Sequence, residues 1–193
     1  MLVISCHSDT GFAKHSLQKL KGDVVEGNLD NFAGVHAVMK AYFSGKIVQP
    51  FVRIELTYGE EVDMAGARQV AKSLQPHDTV IVVDVTGTKT RKDISIEKCA
   101  DLSVQAFLNR SLKGMSYELY EGCPDPISNM DEVEVYRRVC KHTFFLGVPC
   151  QGGDYNAGAV RCHLASIDAV AKALAKIAKD YPLFCKQVSK NAE

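Results

Sequence analysis

Thr79-Val80-Ile81-Val82-Val83 is the stretch that decides the fold, because every residue in it is apolar or β-branched and Asp84 follows it directly. A strand with one face in water alternates polar and apolar residues, whereas a strand covered on both faces is an unbroken apolar run. Such strands are typical of parallel sheets that carry helices on both faces. The stretch therefore predicts a central strand of an α/β protein, with Asp84 at its carboxyl end.

Strand and helix patterns alternate on either side of this run. Apolar residues at helical spacing follow Asp30 and Asn31, either of which is a plausible N-cap, and Gly45 would end that helix. Strands are predicted at 2–6, 51–56, 103–108, 115–120 and 142–148, with a short edge strand at Val24 and Val25, and further helices at 62–74, 131–140 and 165–179, the last ending before Pro182. The alternation predicts one domain over 1–193, a three-layer α/β/α sandwich with a mixed, largely parallel central sheet.

Composition and charge restrict the classes of partner. The 193 residues suffice for one well-buried α/β domain, and the hydrophobic content of 46% is ordinary for a globular protein. Lys+Arg and Asp+Glu both number 23, so there is no electrostatic reason to expect nucleic acid or an anionic membrane as partner. The apolar start at 1–6 is too short for a signal peptide, and no run is long enough to span a membrane. We expect a cytoplasmic protein that binds small neutral or mixed-charge ligands.

Seven cysteines are scattered along the chain without close pairs of the C-x-x-C kind. An odd, dispersed set is typical of free, mostly buried thiols in a reducing compartment. Cys6 and Cys162 each precede a histidine, and strand alternation would turn each thiol away from the neighbouring imidazole. We therefore expect these two cysteines to be wall residues rather than metal ligands.

Polar side chains suited to bind a metal follow several of the predicted strands. His7 follows the first, Glu60 and Glu61 follow the strand that ends at Leu56, and Asp84 follows the central one. In open α/β sheets the binding crevice lies outside the carboxyl ends of the strands. Adjacent residues on a turn point in different directions, so one glutamate can bind a metal while the other handles a proton. These residues predict a site at one rim of the sheet.

The available ligand types are those of a zinc centre. Zinc accepts imidazole nitrogen and carboxylate oxygen, and two zinc ions about 4 Å apart need a bridging carboxylate to reduce their repulsion. We expect Asp30 to be the bridge, with His7 and Asp84 on one ion and Glu61 and His163 on the other. Three carboxylates and a metal-bridging hydroxide then neutralise the charge of two divalent ions. Cobalt or manganese could take the place of zinc.

Two further acids receive supporting roles. Glu60, unligated beside the metals, would act as the general base that takes a proton from water and hands it to the leaving amine. Asp9, two residues after His7, would accept the second N–H of the imidazole and so fix its tautomer. Each also fits a simpler role, Asp9 as an ordinary loop cap and Glu60 with Glu61 as a solvated helix start.

Five short motifs, taken in sequence order, carry a family resemblance. They are His7-Ser-Asp9-Thr-Gly11-Phe12, Leu29-Asp30-Asn31-Phe-Ala-Gly34, Glu60-Glu61-Val62 with Gly66-Ala67, Val83-Asp84-Val85-Thr86, and His163. Together they resemble the co-catalytic di-zinc peptidase superfamily, and the H-x-D-x-x-G-F and D-V-T forms are most similar to its glutamyl aminopeptidase (tetrahedral aminopeptidase) branch. The resemblance implies the same five ligands, Glu60 as base, a mixed sheet between helices, and an aminopeptidase that acts on small peptides or a related amidohydrolase that acts on N-acyl amino acids.

The chain departs from that branch in the segments between its motifs. Only residues 11–29 separate the H-x-D motif from Asp30, where the branch carries an inserted domain. There is also no room after Asp84 for the large lid domain of other branches. Insert and lid often build the oligomer and shape the substrate pocket, so a homo-oligomer and the preferred substrate side chain both stay open.

Two other interpretations are open at this point. A catalytically weak or inactive relic of the fold, acting as a metal- or partner-binding protein, would fit the missing insert and lid. A cysteine hydrolase that pairs Cys150 or Cys162 with His163 is the weaker alternative, because no nucleophile elbow supports it. Further residues at the rim, for which a loop or helix-cap role is favoured, are Gly152, Gly153, Asn129 and Asp131.

Overall fold

The computed structural model describes residues 1–127 and 130–190, in which strands and helices alternate. The strands are β1 (Leu2–His7), β2 (Leu17–Lys19), β3 (Val24–Gly27), β4 (Val52–Thr57), β5 (Thr79–Thr86), β6 (Ile94–Glu97), β7 (Tyr117–Leu119), β8 (His142–Gln151) and β9 (Val160–His163). The helices are α1 (Phe32–Phe43), α2 (Ala65–Ala71), α3 (Leu102–Ser111), α4 (Val133–Tyr136) and α5 (Leu164–Lys190).

These strands form one mixed sheet whose central pairs are parallel. The order is β2-β3-β9-β8-β5-β1-β4, and β8 pairs with β5 along one edge and with β6 and then β9 along the other. The pairs β4–β1, β1–β5 and β5–β8 are parallel, whereas β8–β9, β9–β3 and β3–β2 are antiparallel. The predicted strand at Val24 and Val25 exists, but β2 lies outside it, so β3 is not the edge.

Helices cover both faces of the sheet, which confirms the predicted α/β/α sandwich. Every residue of β5 is buried. Ile81 and Val83 belong to the apolar core that includes residues of α1, α3 and α5, whereas Val80 and Val82 pack into the core with α2 and α4. Full burial of such a side chain contributes about 1.5–3 kcal/mol, so the unbroken apolar run of β5 stabilises both layers at once.

Strand register brings the predicted site residues to the same rim. His7 lies opposite Thr57, at the carboxyl end of β4, and Ser5 lies opposite Val82. Two residues beyond that second pair, His7 and Asp84 are level on neighbouring parallel strands. The predicted position of the site, outside the carboxyl ends of the central strands, follows directly from this register.

The prediction of a strand at 103–108 is wrong, because these residues lie in α3. Asp101 caps the helix by accepting hydrogen bonds from the backbone N–H of Ser103 at 2.8 Å and of Val104 at 3.4 Å. The buried residues are Val104, Phe107, Leu108 and Ser111, which recur at helical spacing. The short apolar run is compatible with a strand or a helix, and the N-cap at Asp101 favours the helix.

Replacing Asp101 with Ala is expected to lower the free energy of unfolding by about 1–2 kcal/mol, because α3 loses its cap. The same carboxylate lies 2.8 Å from His142 Nδ1. Burial alone would raise the pKa of Asp101, but Ser103 and His142 outweigh it and lower the pKa below its ordinary value. The stabilisation is therefore present at neutral pH and is lost as the pH falls through the folded-state pKa. Urea unfolding should show this loss, and a change below about 0.5 kcal/mol would contradict the assignment.

Helix α1 lies as predicted, between its N-cap Asn31 and Gly45, whereas the other helix predictions are correct in position and wrong in extent. The predicted helices at 62–74 and 131–140 shorten to α2 and α4, with turns on either side. The last helix does not end before Pro182 but continues through it to Lys190. Proline costs a helix about 3 kcal/mol, but Tyr181 and Phe184 on the same turn remain buried in the core, which offsets that cost. No helix within residues 1–127 and 130–190 is both long and apolar enough to cross a bilayer.

Candidate metal centre

Three buried residues from separate parts of the chain form the centre of the site. His7 ends β1, Asp30 precedes α1, and Asp84 lies in β5; their exposed fractions are 2%, 4% and 7%. The Nε2 atom of His7 lies 3.1 Å from Asp30 Oδ1 and 3.1 Å from Asp84 Oδ2. One imidazole nitrogen therefore faces two carboxylates, although it carries at most one proton.

Polar atoms at this centre lack hydrogen-bond partners, which is the mark of a cation site. The side-chain atoms His7 Nδ1, Asp30 Oδ1 and Asp9 Oδ1 are buried and have no hydrogen-bond partner. For Asp30 Oδ1 the His7 ring nitrogen is close, but it is poorly aligned for a hydrogen bond. Burying an unpaired carboxylate costs roughly several kcal/mol of folding free energy, whereas a bound divalent cation compensates its charge. His7, Asp30 and Asp84 offer ligand atoms within 4.8 Å of one another, and so do His7, Glu60 and Glu61. The donor set of nitrogen and carboxylate oxygen fits zinc.

Asn31 fixes the position of Asp30. Its side-chain amide donates to Val83 O at 2.8 Å and to Cys6 Sγ at 3.3 Å, and its Oδ1 accepts from Gly34 N at 3.0 Å. These bonds tie the start of α1 to β5 and β1. A Cβ at position 34 would lie 2.2 Å from Asn31 Oδ1, so this approach needs glycine. The Asp30–Asn31 peptide bond is cis.

A tight turn between β4 and α2 presents the two adjacent glutamates. Gly59 has φ of +74°, a conformation that favours glycine, and its carbonyl accepts hydrogen bonds from the backbone N–H groups of Val62 and Asp63. Glu60 and Glu61 sit inside this turn, half-buried, and both line the cleft above His7. This turn is compatible with the prediction that the side chains of Glu60 and Glu61 point in different directions.

The charges of the cluster strongly shift its pKa values. Burial alone would lower the pKa of His7, but the Asp84 and Asp30 carboxylates outweigh it and raise the pKa to about 12. Burial raises the pKa of Asp84 well above its ordinary value. Burial also raises the pKa of Glu60 to about 7, with Asp30 and Glu61 adding to the shift and His7 opposing it. Burial disfavours several like charges side by side, and a bound divalent cation would offset that cost.

The cleft over this cluster has a volume of about 240 Å³ and an acidic lining. The carboxylates that line it are Asp30, Glu60, Glu61, Asp84, Glu97, Asp125 and Asp131. Among them is Asp131, for which a loop or helix-cap role is favoured. It contacts Lys98 Nζ at 3.0 Å and accepts a hydrogen bond from Val133 N at 2.8 Å, at the start of α4. Asn129, the other such residue, lies outside the described part of the chain.

Glu97 and Asp125 form part of the cleft wall, and the sequence analysis did not identify either of them. Glu97 Oε1 accepts from the hydroxyls of Thr86, Thr88 and Ser95 at 2.7–2.8 Å. Asp125 Oδ2 accepts from Gly87 N at 2.8 Å and from the Tyr155 hydroxyl at 2.7 Å. The alternating stretch Ile94-Ser95-Ile96-Glu97 could have placed Glu97 at a strand end, but Asp125 lies between two prolines and carried no signal beyond a turn.

Glu132 is a second acid that no sequence signal identified. It is fully buried, accepts a hydrogen bond from Ser5 Oγ at 2.6 Å, and leaves its Oε1 without a partner. Burial raises its pKa, with Ser5 and the positive charge of His7 opposing the shift. Ser5 lies two residues before His7 on β1, so Glu132 is a buried carboxyl group close behind the cluster.

His163 and Asp9 lie outside the two potential ligand groups that the described residues form. His163 ends β9, exposed and opposite Val24, and it belongs to neither of the two potential ligand groups formed by described residues. Asp9 Oδ1 lies 3.7 Å from His7 Nδ1, which is longer than a hydrogen bond.

The position of Cys162 argues against the cysteine hydrolase. Cys162 is buried and His163 is exposed, so the two side chains leave opposite faces of β9. Cys150 lies directly opposite Cys162 on β8 and is buried as well. Neither thiol is therefore arranged with the imidazole as nucleophile and base.

Comparison with solved structures gives matches to aminopeptidases. An aminopeptidase from the archaeon Desulfurococcus kamchatkensis has a TM-score of 0.70 at 16% identity, covering 90% of this chain and 54% of its own. PhTET1-12s, described as a dodecamer in the asymmetric unit, has a TM-score of 0.66 at 20% identity, covering 86% and 53%. An M18-family aminopeptidase from Thermotoga maritima has a TM-score of 0.65 at 13% identity, covering 84% and 48%.

The chain spans about half the length of these proteins. No protein-family model matches the sequence, and no curated protein sequence does. At these identities the likeness concerns the fold, and it agrees with the resemblance carried by the sequence motifs. The chain has the α/β fold of these solved structures.

Proposed function

We propose that this chain is a single catalytic-type domain of a di-zinc metallohydrolase, an aminopeptidase that removes N-terminal residues from small peptides. The observation that carries the proposal is the convergence of His7, Asp30 and Asp84 with Glu60 and Glu61 in one cleft. The seven cysteines are all free, which suits a cytoplasmic location.

The residues proposed to hold two divalent ions are His7, Asp30, Glu61, Asp84 and His163, with Asp30 shared between the ions. Zinc fits the donors best, and cobalt or manganese could substitute. When bound, the ions would act as Lewis acids on water and on the scissile carbonyl. The position of His163 outside both ligand groups makes it the least supported member of the set.

Glu60 is the proposed general base. It lies beside the cluster, half-buried, on the turn that also presents Glu61. A carboxylate takes the proton of the attacking water, and the resulting carboxyl group then protonates the leaving amine. Burial raises the pKa of Glu60 to about 7 in the metal-free cluster, and neighbouring cations would lower it, which favours the deprotonated form that accepts the proton.

The acidic lining favours a substrate with a free amino terminus. The ions would neutralise the proposed ligands Asp30, Glu61 and Asp84, and Asp131 is paired with Lys98. The acids that remain in the lining are Glu60, Glu97 and Asp125, which favour a positively charged α-ammonium group over the carboxylate of an N-acyl amino acid. This supports the aminopeptidase over the related amidohydrolase. A release assay that compares aminoacyl-nitroanilides with their N-acetylated forms should favour the free amines.

The pH dependence of hydrolysis should follow the ionisation of Glu60. The base acts only when deprotonated, so kcat/KM is expected to rise with pH along an acid limb at or below about pH 7, since bound cations lower the pKa of a neighbouring carboxyl. A pH-rate profile measured with saturating zinc checks this. A kcat/KM that falls as the pH rises through this limb would contradict the role.

The experiment that tests the function is hydrolysis of small peptides and aminoacyl-nitroanilides by protein loaded with zinc. Activity should vanish on treatment with a chelator and return with added zinc. Stoichiometric metal binding without hydrolysis would instead support a relic of the fold that acts as a metal- or partner-binding protein. Light scattering on the same sample would show whether the chain forms a homo-oligomer, as the dodecameric neighbour does.

A further inference from the structure

Cys150 and Cys162 form an opposed pair of thiols on neighbouring strands. They face each other in register across the antiparallel ladder of β8 and β9. The next opposed residues, Gln151 and Arg161, are both exposed, so alternation places the two thiols together on the buried face. Both side chains belong to the same buried core, with exposed fractions of 5% for Cys150 and 2% for Cys162.

This placement meets the geometric requirement of a disulfide. Directly opposed residues in an antiparallel pair have Cα atoms about 4.5 or about 5.5 Å apart. Disulfides join residues whose Cα atoms are about 4.4–6.8 Å apart. A bond between Cys150 and Cys162 therefore requires rotation of side chains and no movement of either strand.

The two thiols differ in access. Cys150 lines an open cavity of about 600 Å³ between the segment 87–91 and the glycine pair Gly152-Gly153. Cys162 does not line this cavity, and its thiol donates a hydrogen bond to the carbonyl oxygen of His163 at 3.2 Å. A small oxidant can thus reach Cys150 first, with Cys162 placed to complete the reaction.

We propose that Cys150 and Cys162 are a redox modification site, converted reversibly to a disulfide by a low-molecular-weight disulfide such as oxidised glutathione. The Cys150 sulfur attacks the oxidant, forms a mixed disulfide and releases one glutathione thiol. The Cys162 sulfur then attacks the Cys150 sulfur and releases the second glutathione. The two protein thiols lose two electrons and two protons, and the oxidant gains both as its disulfide becomes two thiols. The proposal rests on the sheet and does not depend on the metal site.

The test is intact-mass analysis of the full chain carrying Cys185→Ser, which removes the exposed thiol. Incubation with oxidised glutathione should convert most chains to a species lighter by two hydrogens, in which a non-reduced peptide map joins Cys150 to Cys162. Dithiothreitol should restore the original mass. Adding Cys162→Ser should replace this species by a stable glutathione adduct at Cys150, whereas the matched control Cys99→Ser, a buried cysteine outside β8 and β9, should leave the crosslink unchanged.

Two results would overturn the proposal. One is a crosslink that joins other cysteines, and the other is a chain that keeps both thiols after prolonged exposure at a pH where free glutathione exchanges readily. Both results are measured on protein that keeps Cys150 and Cys162, so they remain valid even if the Cys162→Ser variant fails to fold. Because the readout is mass, loss of the crosslink and loss of metal-dependent hydrolysis are separate results.

Discussion

Replacing Glu60 with Gln is expected to lower kcat/KM for hydrolysis by about 10²–10⁴-fold while the bound metal stays in place. The substitution keeps the size of the side chain and one acceptor oxygen, but it replaces the other oxygen by an NH₂ group and removes the ability to take a proton. Glu60 has the position for the role, half-buried beside His7, and its pKa is raised to about 7 chiefly by burial. Steady-state kinetics on an aminoacyl-nitroanilide, with metal counted on the same sample, measures both effects.

The neighbouring glutamate provides a contrast for that experiment. Glu61→Gln should lower the amount of bound metal as well as the rate, because Glu61 is proposed as a ligand. Glu121→Gln changes an exposed glutamate outside the cleft and should alter neither. If Glu60→Gln cleaves as fast as the unmodified protein, the base must be another group.

Replacing His7 with Ala is expected to abolish metal binding and to lower the free energy of unfolding of the metal-free protein by about 3–5 kcal/mol. The imidazole Nε2 lies 3.1 Å from both Asp30 Oδ1 and Asp84 Oδ2, and its loss leaves two buried carboxyl groups without it. The pKa of His7 is raised from 6.5 to about 12, so its stabilisation is complete below about pH 6.5, is largely retained at neutral pH, and is lost as the pH rises towards 12.

Urea unfolding with chelator present measures this change, and His36→Ala is the matched control because His36 is exposed on α1. The control should unfold within about 0.5 kcal/mol of the unmodified protein. Equal stability of the two histidine variants would show that the cluster around His7 does not contribute to folding.

The sequence alone predicted the centre of the sheet and most of the cluster, for a physical reason. An unbroken apolar run such as that of β5 is compatible with burial on both faces, and parallel strands end at the same rim, so His7 and Asp84 had to be close. Asp30 was predicted to belong to the site from its sequence motif and from its position at the start of the first helix. These inferences depend on short-range sequence patterns, which do not require knowledge of tertiary contacts.

What the sequence could not predict depends on long-range packing. The segment 103–108 is short enough to be strand or helix, and only its cap and neighbours decide. Pro182 remains helical because the core on its turn outweighs the local cost. Glu132 and Asp125 reach the cleft region through tertiary contacts alone.

The measurement that tests the central claim most directly is an elemental count of metal per chain in protein purified without chelators, made in parallel on Asp30→Ala. The account predicts about two zinc ions per unmodified chain at saturation, and a clear loss in the variant because the bridging carboxylate is gone. An unmodified chain that binds no stoichiometric divalent metal, or a variant that binds as much as the unmodified chain, would contradict it.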